Sequence, residues 1–246
     1  MKASRMKDMP PGEQQLWLLA LSGPLVALNR KAGARYDVPS FWAADAGTEQ
    51  GDLLSSAWGI EDREGLLETV SRMADRGHAV SIGANYWAWH QVLPSDRESA
   101  RSEMPELNRL RDLFLDRTAL LTGPGGIRAW DLGRMSYLLR NGLYLGYISE
   151  QECQYLHLQL GYRALYWYRS WDQYLCGYFS GRMLWMALEI ESPDELKAFL
   201  FDEAPPWLSR IFNEVLTDPD NPATYLPWAM ALDQIERPNS LGEEGL

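Results

Sequence analysis

A chain of 246 residues with 46% apolar side chains can fill a sizeable core, which excludes a disordered class. Its formal charge of −11 excludes a general nucleic-acid binder, because phosphate contacts require a basic surface. Its two cysteines, Cys153 and Cys176, form no CxxC pair and exclude a secreted disulfide framework, so both are expected as free thiols in a reducing cytosol.

Met1 to Pro11 carries Lys2, Arg5 and Lys7 and is expected to be a flexible N-terminus. The apolar run from Leu16 to Leu28 is broken by Ser22, Gly23 and Pro24. It lacks a small-residue cleavage site and is too short to span a bilayer, so a cytoplasmic protein without a membrane span is expected. Glu13 to Arg30 reads as a helix interrupted at Gly23-Pro24, with Leu16, Leu19 and Ala20 on one face. Arg35 to Asp52, with Pro39, Gly47 and Gly51, reads mostly as loop.

Asp62 can cap a helix bearing Leu66, Leu67, Val70, Met73 and Ala74, with Gly77 placed for a left-handed end. His78 to Val92 is ambiguous. Ala79, Val80 and Ile82 fit a short strand, whereas Tyr86, Trp87, Trp89 and His90 fit a helix. Pro105 opens a further helix with Leu107, Leu110, Phe114 and Leu121 on one face. Gly123-Pro124-Gly125-Gly126 then marks either a boundary between lobes or a tight interhelical turn.

Three helix starts carry capping-box spacing: Ser149 with Glu152, Ser170 with Gln173, and Ser192 with Glu195 behind Pro193. Pro206 and Asn221-Pro222 suggest two more starts, the latter in a helix that must tolerate Pro227. Pro238 to Leu246 reads as a flexible C-terminus. The fold class is therefore mainly α, a single multi-helix domain over residues 12–237, with room for a strand pair near 78–92. Eleven Trp and twelve Tyr are many for this length, so most must be packed with their polar atoms paired.

Familiar chemical signatures are missing: no GxxxxGK(S/T) phosphate loop, no HExxH, no GxSxG elbow and no metal-spaced Cys/His cluster. No cofactor or metal is expected. In Gly177-Tyr178-Phe179-Ser180-Gly181 the serine stands one place late for an elbow, so Ser180 reads as a small packing residue. His78, His90 and His157 are scattered, and His78 beside a helix end reads more naturally as an electrostatic cap than as a catalyst.

The central segment is the specific part. It holds Ala129-Trp130-Asp131-Leu132-Gly133-Arg134, Arg140-Asn141-Gly142, Gly146-Tyr147-Ile148-Ser149-Glu150, Ser170-Trp171, Tyr174 and Gly181-Arg182-Met183-Leu184-Trp185. In order and spacing these resemble a bacterial domain of unknown function, the family numbered twelve sixty-six. The resemblance extends upstream through Trp58-Gly59-Ile60 and Gly77-His78. It implies kinship and carries no established activity.

Asp131 and Arg134, three apart on a helix, can pair, flanked by Trp130 and Tyr137. Trp171, Tyr174, Tyr178, Arg182 and Trp185 form one stripe, on which Arg182 can stack upon an aromatic face. Gly177 and Gly181 leave a groove for a neighbouring helix. Two alternatives stand. One is a helix-helix core in which Asp131, Arg134 and Arg182 form a satisfied polar network. The other is an enzyme site or anionic-ligand pocket. Arg134, Arg140 and Arg182, with Trp130, Tyr178 and Trp185, would hold the ligand there, and Asp131, Glu150 or His78 would do acid-base work.

Charge is unevenly placed. Pro124 to Leu188 has six arginines against four carboxylates, whereas Glu189 to Leu246 has three basic side chains against thirteen acidic ones. Glu189, Glu191, Asp194, Asp202, Glu203, Asp218 and Asp220 are accordingly candidates for meeting a basic protein partner, set against the plainer reading of a solvated surface. The leading expectation is a non-enzymatic protein-binding factor of immunity or antitoxin type. Oligomeric state cannot be read from these features.

Overall fold

The computed structural model describes residues 12–43, 50–202 and 205–242. The flexible N-terminus expected at residues 1–11, the last residues 243–246 and the partner candidate Glu203 lie outside the described residues. Thirteen α-helices follow in order: α1 Glu13–Leu19, α2 Gly23–Asn29, α3 Gln50–Trp58, α4 Arg63–Arg76, α5 His78–Ser81, α6 Ala84–Trp89, α7 Pro94–Ser102, α8 Glu106–Thr122, α9 Arg128–Tyr144, α10 Glu150–Trp167, α11 Trp171–Met186, α12 Pro193–Lys197 and α13 Pro206–Thr217. Among the described residues the only β pairing is an isolated bridge between Ala34 and Trp42.

The family-like segment builds the middle of the molecule. Every residue of α9 from Ala129 to Gly142 is buried, because α4, α10 and α11 pack around it. A helix enclosed on all sides needs small residues where its neighbours come closest. A Cβ at Gly133 would meet the Tyr178 ring at 2.7 Å, and one at Gly181 would run into Trp130. The glycine groove expected on α11 thus receives the start of α9.

Gly123-Pro124-Gly125 forms a 3-10 turn between α8 and α9, with both glycines buried and Pro124 exposed. Gly123 and Gly126 have φ of 61° and 54°, a left-handed region open to glycine at little cost. The first turn of α9 has no side-chain cap of its own. Tyr168 substitutes: its hydroxyl accepts from the Ala129 N–H at 2.7 Å and donates to the Gly126 carbonyl at 2.9 Å.

Where the serine caps were expected, all three form. Ser149 and Glu152 make the full reciprocal box. Ser170 accepts from the Gln173 N–H at 3.1 Å, but the Gln173 side chain turns to the Arg169 N–H instead. Ser192 accepts from the Glu195 N–H at 3.4 Å. The interruption at Gly23-Pro24 is also present, as a 3-10 turn, Ala20–Ser22, between α1 and α2.

Four local readings differ. Residues 78–92 hold α5 and α6 rather than a strand, because Asp131 caps α5 and no strand is available among the described residues to pair with. Gly77 has φ −66° and ψ 175°, extended rather than left-handed. Glycine is needed there because a Cβ would strike the Asp131 carboxylate and the Met73 carbonyl. Within the stretch read as loop, α3 already begins at Gln50. Beyond Asn221 the helix stops after the 3-10 turn Pro222–Thr224, and residues 225–238 run as an irregular strap.

That strap explains much of the tryptophan content. Trp17 Nε1 donates to the Pro227 carbonyl at 3.2 Å, Trp171 Nε1 to Leu226 at 2.9 Å, and Trp228 Nε1 to Tyr168 at 3.1 Å. The three rings also pack together, with centroids 4.8–5.3 Å apart. Irregular backbone can lie on the core because indole N–H groups satisfy its carbonyls. Further along, Ser240 donates to the buried Glu152 carboxylate at 2.7 Å, and Arg63 holds both Glu152 and the Ser240 carbonyl.

Candidate functional site

The polar residues singled out on α9 separate into two groups. Asp131 faces the N-terminus of α5, where its carboxylate accepts from the backbone N–H groups of His78 at 3.1 Å and Ala79 at 2.7 Å. Arg134 Nη2 donates to the same carboxylate at 2.6 Å and also to His78 Nδ1. Burial opposes ionisation of Asp131, but bonds from His78, Ala79 and Arg134 and the arginine's charge outweigh it and hold the carboxyl below the ordinary range. With its oxygens engaged in this way, Asp131 acts as a helix cap and counter-ion.

The Arg134 guanidinium lies over the rings of Trp130 at 4.6 Å and Trp58 at 5.5 Å. Among the described residues, its Nε and the Trp130 indole N–H have no hydrogen-bond partner, so contact with ring faces is what offsets their burial. Arg182 approaches the same Trp130 ring at 5.9 Å and Trp207 at 4.6 Å. Trp207 on α13 supplies the stacking face for Arg182, rather than Tyr178 or Trp185. Trp130 is flanked by Tyr178 and Trp185, with centroids at 5.1 and 5.9 Å. Tyr137 faces away, edge-on to Phe41 at 4.9 Å.

Arg140 belongs elsewhere. It is fully buried and reaches the loop after α2, donating to Ser22 Oγ at 2.9 Å and to the carbonyls of Leu19 at 3.4 Å, Arg35 at 2.5 Å and Val38 at 2.6 Å. Its guanidinium also lies 4.9 Å from the Phe41 ring centroid. Phe41 has φ of 70°, a strained conformation for a bulky residue that persists only where its surroundings impose it. Burial pulls the guanidinium down to about 9, which still leaves it charged at neutral pH.

Of the expected candidates, Asp131 borders a small cavity of about 60 Å³, whereas Glu150 stands at a larger one. About 300 Å³ of space opens between α1, α10 and the strap. Leu18, Leu19, Leu143 and Ile235 form its apolar walls, with Glu150, Gln154 and Asp233 among its polar lining and Cys153 and His157 buried behind. Gln14 fastens the strap here, donating to the Asp233 carbonyl at 3.1 Å and accepting from its N–H at 2.6 Å. Cys153 and His157 lie four apart on one face of α10, a spacing present in the sequence but without a recognisable motif around it.

The hydrogen bonds decide what this pair can do. His157 Nδ1 lies 2.8 Å from the Cys153 carbonyl, and Nε2 lies 3.0 Å from Ser136 Oγ. A carbonyl only accepts, so the ring proton is on Nδ1 and Nε2 accepts from Ser136. The Cys153 Sγ, 3.5 Å from Nδ1, therefore faces a nitrogen that already carries a proton. Burial pushes the thiol up to about 12, partly countered by Arg140, and pulls His157 down to about 4. Both groups are neutral at pH 7, suited to binding and unsuited to nucleophilic attack.

A pH dependence follows. His157 stays neutral in the folded protein down to about 4 while the unfolded chain takes up its proton near 6.5. The unfolded state therefore binds more protons between these values, and stability falls as the pH drops through them, by roughly 1.4 kcal/mol per unit. Chemical denaturation from pH 7 to 4 should show this slope in the wild type and a flatter one in His157→Gln.

The acidic C-terminal candidates also divide. Arg30 Nη2 pairs with Asp218 and with Asp220, both at 3.1 Å, so these two serve the contact between α2 and α13. Glu189, Glu191, Asp194 and Asp202 are exposed. Among the described residues no helix is long and apolar enough to cross a membrane.

The family described as protein of unknown function (DUF1266) matches residues 53–228. The chain belongs to this family. It is 33% identical over 233 residues to the uncharacterized protein YbeU of Escherichia coli (strain K12), covering 93% of this chain and 96% of that protein. It is also 36% identical over 188 residues to the uncharacterized protein YbeR of the same organism, covering 76% and 78%. No solved structure matches. Within the DUF1266 match lie α9, α10 and α11 entire, together with Glu150, Cys153 and His157 from the cavity. Gln14 and Asp233 lie outside it.

Proposed function

We propose that the protein is a receptor for a small organic molecule, held without covalent chemistry in the cavity between α1, α10 and the strap. The supporting observation is the cavity's composition: about 300 Å³ bounded by leucine and isoleucine with a few polar groups, the usual make-up of ligand sites. The neutral, fully hydrogen-bonded His157 favours recognition over catalysis. The amide clip between Gln14 and Asp233 fastens the strap beside the cavity, where opening would admit a ligand.

A thermal-shift screen of small metabolites tests this. A compound present at about 100 times its Kd adds ~2.7 kcal/mol of stability, which raises Tm by roughly 5–10 °C at this chain length. Leu143→Trp fills the cavity from a half-buried position and should abolish the shift while leaving the fold intact. If nothing stabilises the wild type, or if the filled variant responds equally, the reading fails.

The exposed carboxylates favour a second reading, a non-enzymatic factor that occludes a basic protein in the manner of an immunity or antitoxin protein. Glu189, Glu191, Asp194 and Asp202 remain available on one stretch of chain, and complementary charge would make such association fast and salt-sensitive. Pull-down from the native host at low and high salt distinguishes it. Recovery of no basic protein at either salt would count against it.

A further inference from the structure

Five of the six phenylalanines of the chain converge on one place, well away from the cavity just discussed. Phe114, Phe179, Phe199, Phe201 and Phe212 line a second cavity of about 410 Å³ between α8, α11 and α13. It reaches into the core: Phe114, Phe179 and Met183 in its wall are each less than a tenth exposed. Among the described residues, Cys176, Ser180 and Ser209 are the polar side chains in its lining, and no charged residue joins them. One wall, carrying Phe199, Leu200 and Phe201, is a π-turn, Ala198–Asp202, a local widening of the helix found frequently at functional sites.

Among the described residues, charge enters at the rim. The exposed Arg117 lies 4.6 Å from the Phe201 ring centroid, and among the described residues no carboxylate is paired with it. An open apolar groove with a cation at its edge fits a flexible apolar chain ending in an anion.

We propose that this second cavity binds the hydrocarbon chain of a medium-length fatty carboxylate, whose head group pairs with Arg117. A slot formed largely of carbon offers an alkyl chain burial of about 0.8 kcal/mol per CH₂, so affinity rises with chain length. The arginine selects the anionic head over a cationic one. This site stands independently of the receptor reading, since it shares no residue with the first cavity.

Cys176 supplies the readout. It lines the slot and is only partly buried, whereas Cys153 is fully buried with its thiol pushed up to about 12, so dithiobis(nitrobenzoate) should label Cys176 alone. Labelling rates of the full chain are measured with dodecanoate, hexanoate and dodecyltrimethylammonium, each below its micelle concentration. Dodecanoate should slow labelling at least about tenfold, and hexanoate should need a far higher concentration. In Arg117→Ser the half-protecting dodecanoate concentration should rise about fivefold. Ser209→Trp, a change at an exposed position on the rim, should remove protection with Tm unchanged.

Three outcomes would overturn the proposal. Labelling unaffected by dodecanoate means that no chain enters. Equal protection by the cationic amphiphile, indifferent to Arg117, means unspecific detergent binding. Protection that grows with protein concentration alone means that the slot is covered by a second copy of the chain.

Discussion

Arg140→Leu should lower stability by about 3–5 kcal/mol, a fall in Tm of about 10 °C for a chain of this size. Removing a buried charge that lacks a carboxylate brings some relief by itself. Against that, the change removes the hydrogen bonds this guanidinium gives to the carbonyls of Leu19, Arg35 and Val38 and to the Ser22 hydroxyl, although Val38 keeps the Phe41 N–H and Leu19 the Ser22 hydroxyl. A hydrogen bond from a charged group contributes about 1.5–3 kcal/mol, and the loss of several together outweighs the relief. The loop also loses the contact that holds Phe41 at its positive φ. Arg140→Lys should recover only part of the loss, because one ammonium cannot span acceptors that a planar fork reaches from two nitrogens. Thermal unfolding of the two variants checks both magnitude and order.

Asp131→Ala should be similarly damaging, at about 3–5 kcal/mol, by a different route. It leaves Arg134 as an uncompensated buried charge and uncaps the first two N–H groups of α5 at once. Arg182→Ala should cost much less, on the order of 1 kcal/mol, because that guanidinium is half-exposed and contributes chiefly stacking on Trp207 and Trp130. Denaturation midpoints that placed Arg182→Ala below Asp131→Ala would contradict the roles assigned to these residues.

These contrasts mark how far the sequence could be read. The helical class and the three serine caps were legible because capping is local: Ser149 and Glu152, three apart, satisfy each other's backbone wherever the helix packs. The pairing of Asp131 with Arg134 was legible for the same reason. What Asp131 does beyond that pair was not, since its partners at His78 and Ala79 lie more than fifty residues away. Their only trace was Gly77, a glycine demanded by close approach and mistaken for a helix terminator.

Arg140 shows the same limit. On α9 it sits two turns from Arg134 and invites grouping with it, yet its acceptors come from a loop about a hundred residues earlier. The cavity at Cys153 and His157 was hidden because its walls come from both ends of the chain, and the strap that closes it has no periodic pattern. Trp228, buried between Trp17 and Trp171, was a better sign of that closure than any motif.

The proposed division of labour between a structural polar centre and a cavity that binds a ligand is open to one direct measurement. A compound from the stabilisation screen is titrated calorimetrically into Arg182→Ala and into Leu143→Trp. Binding by Arg182→Ala within about twofold of wild type, with no heat from Leu143→Trp, is the expected result. Binding lost in Arg182→Ala and retained in Leu143→Trp would return the functional site to the arginine and tryptophan cluster on α9 and α11.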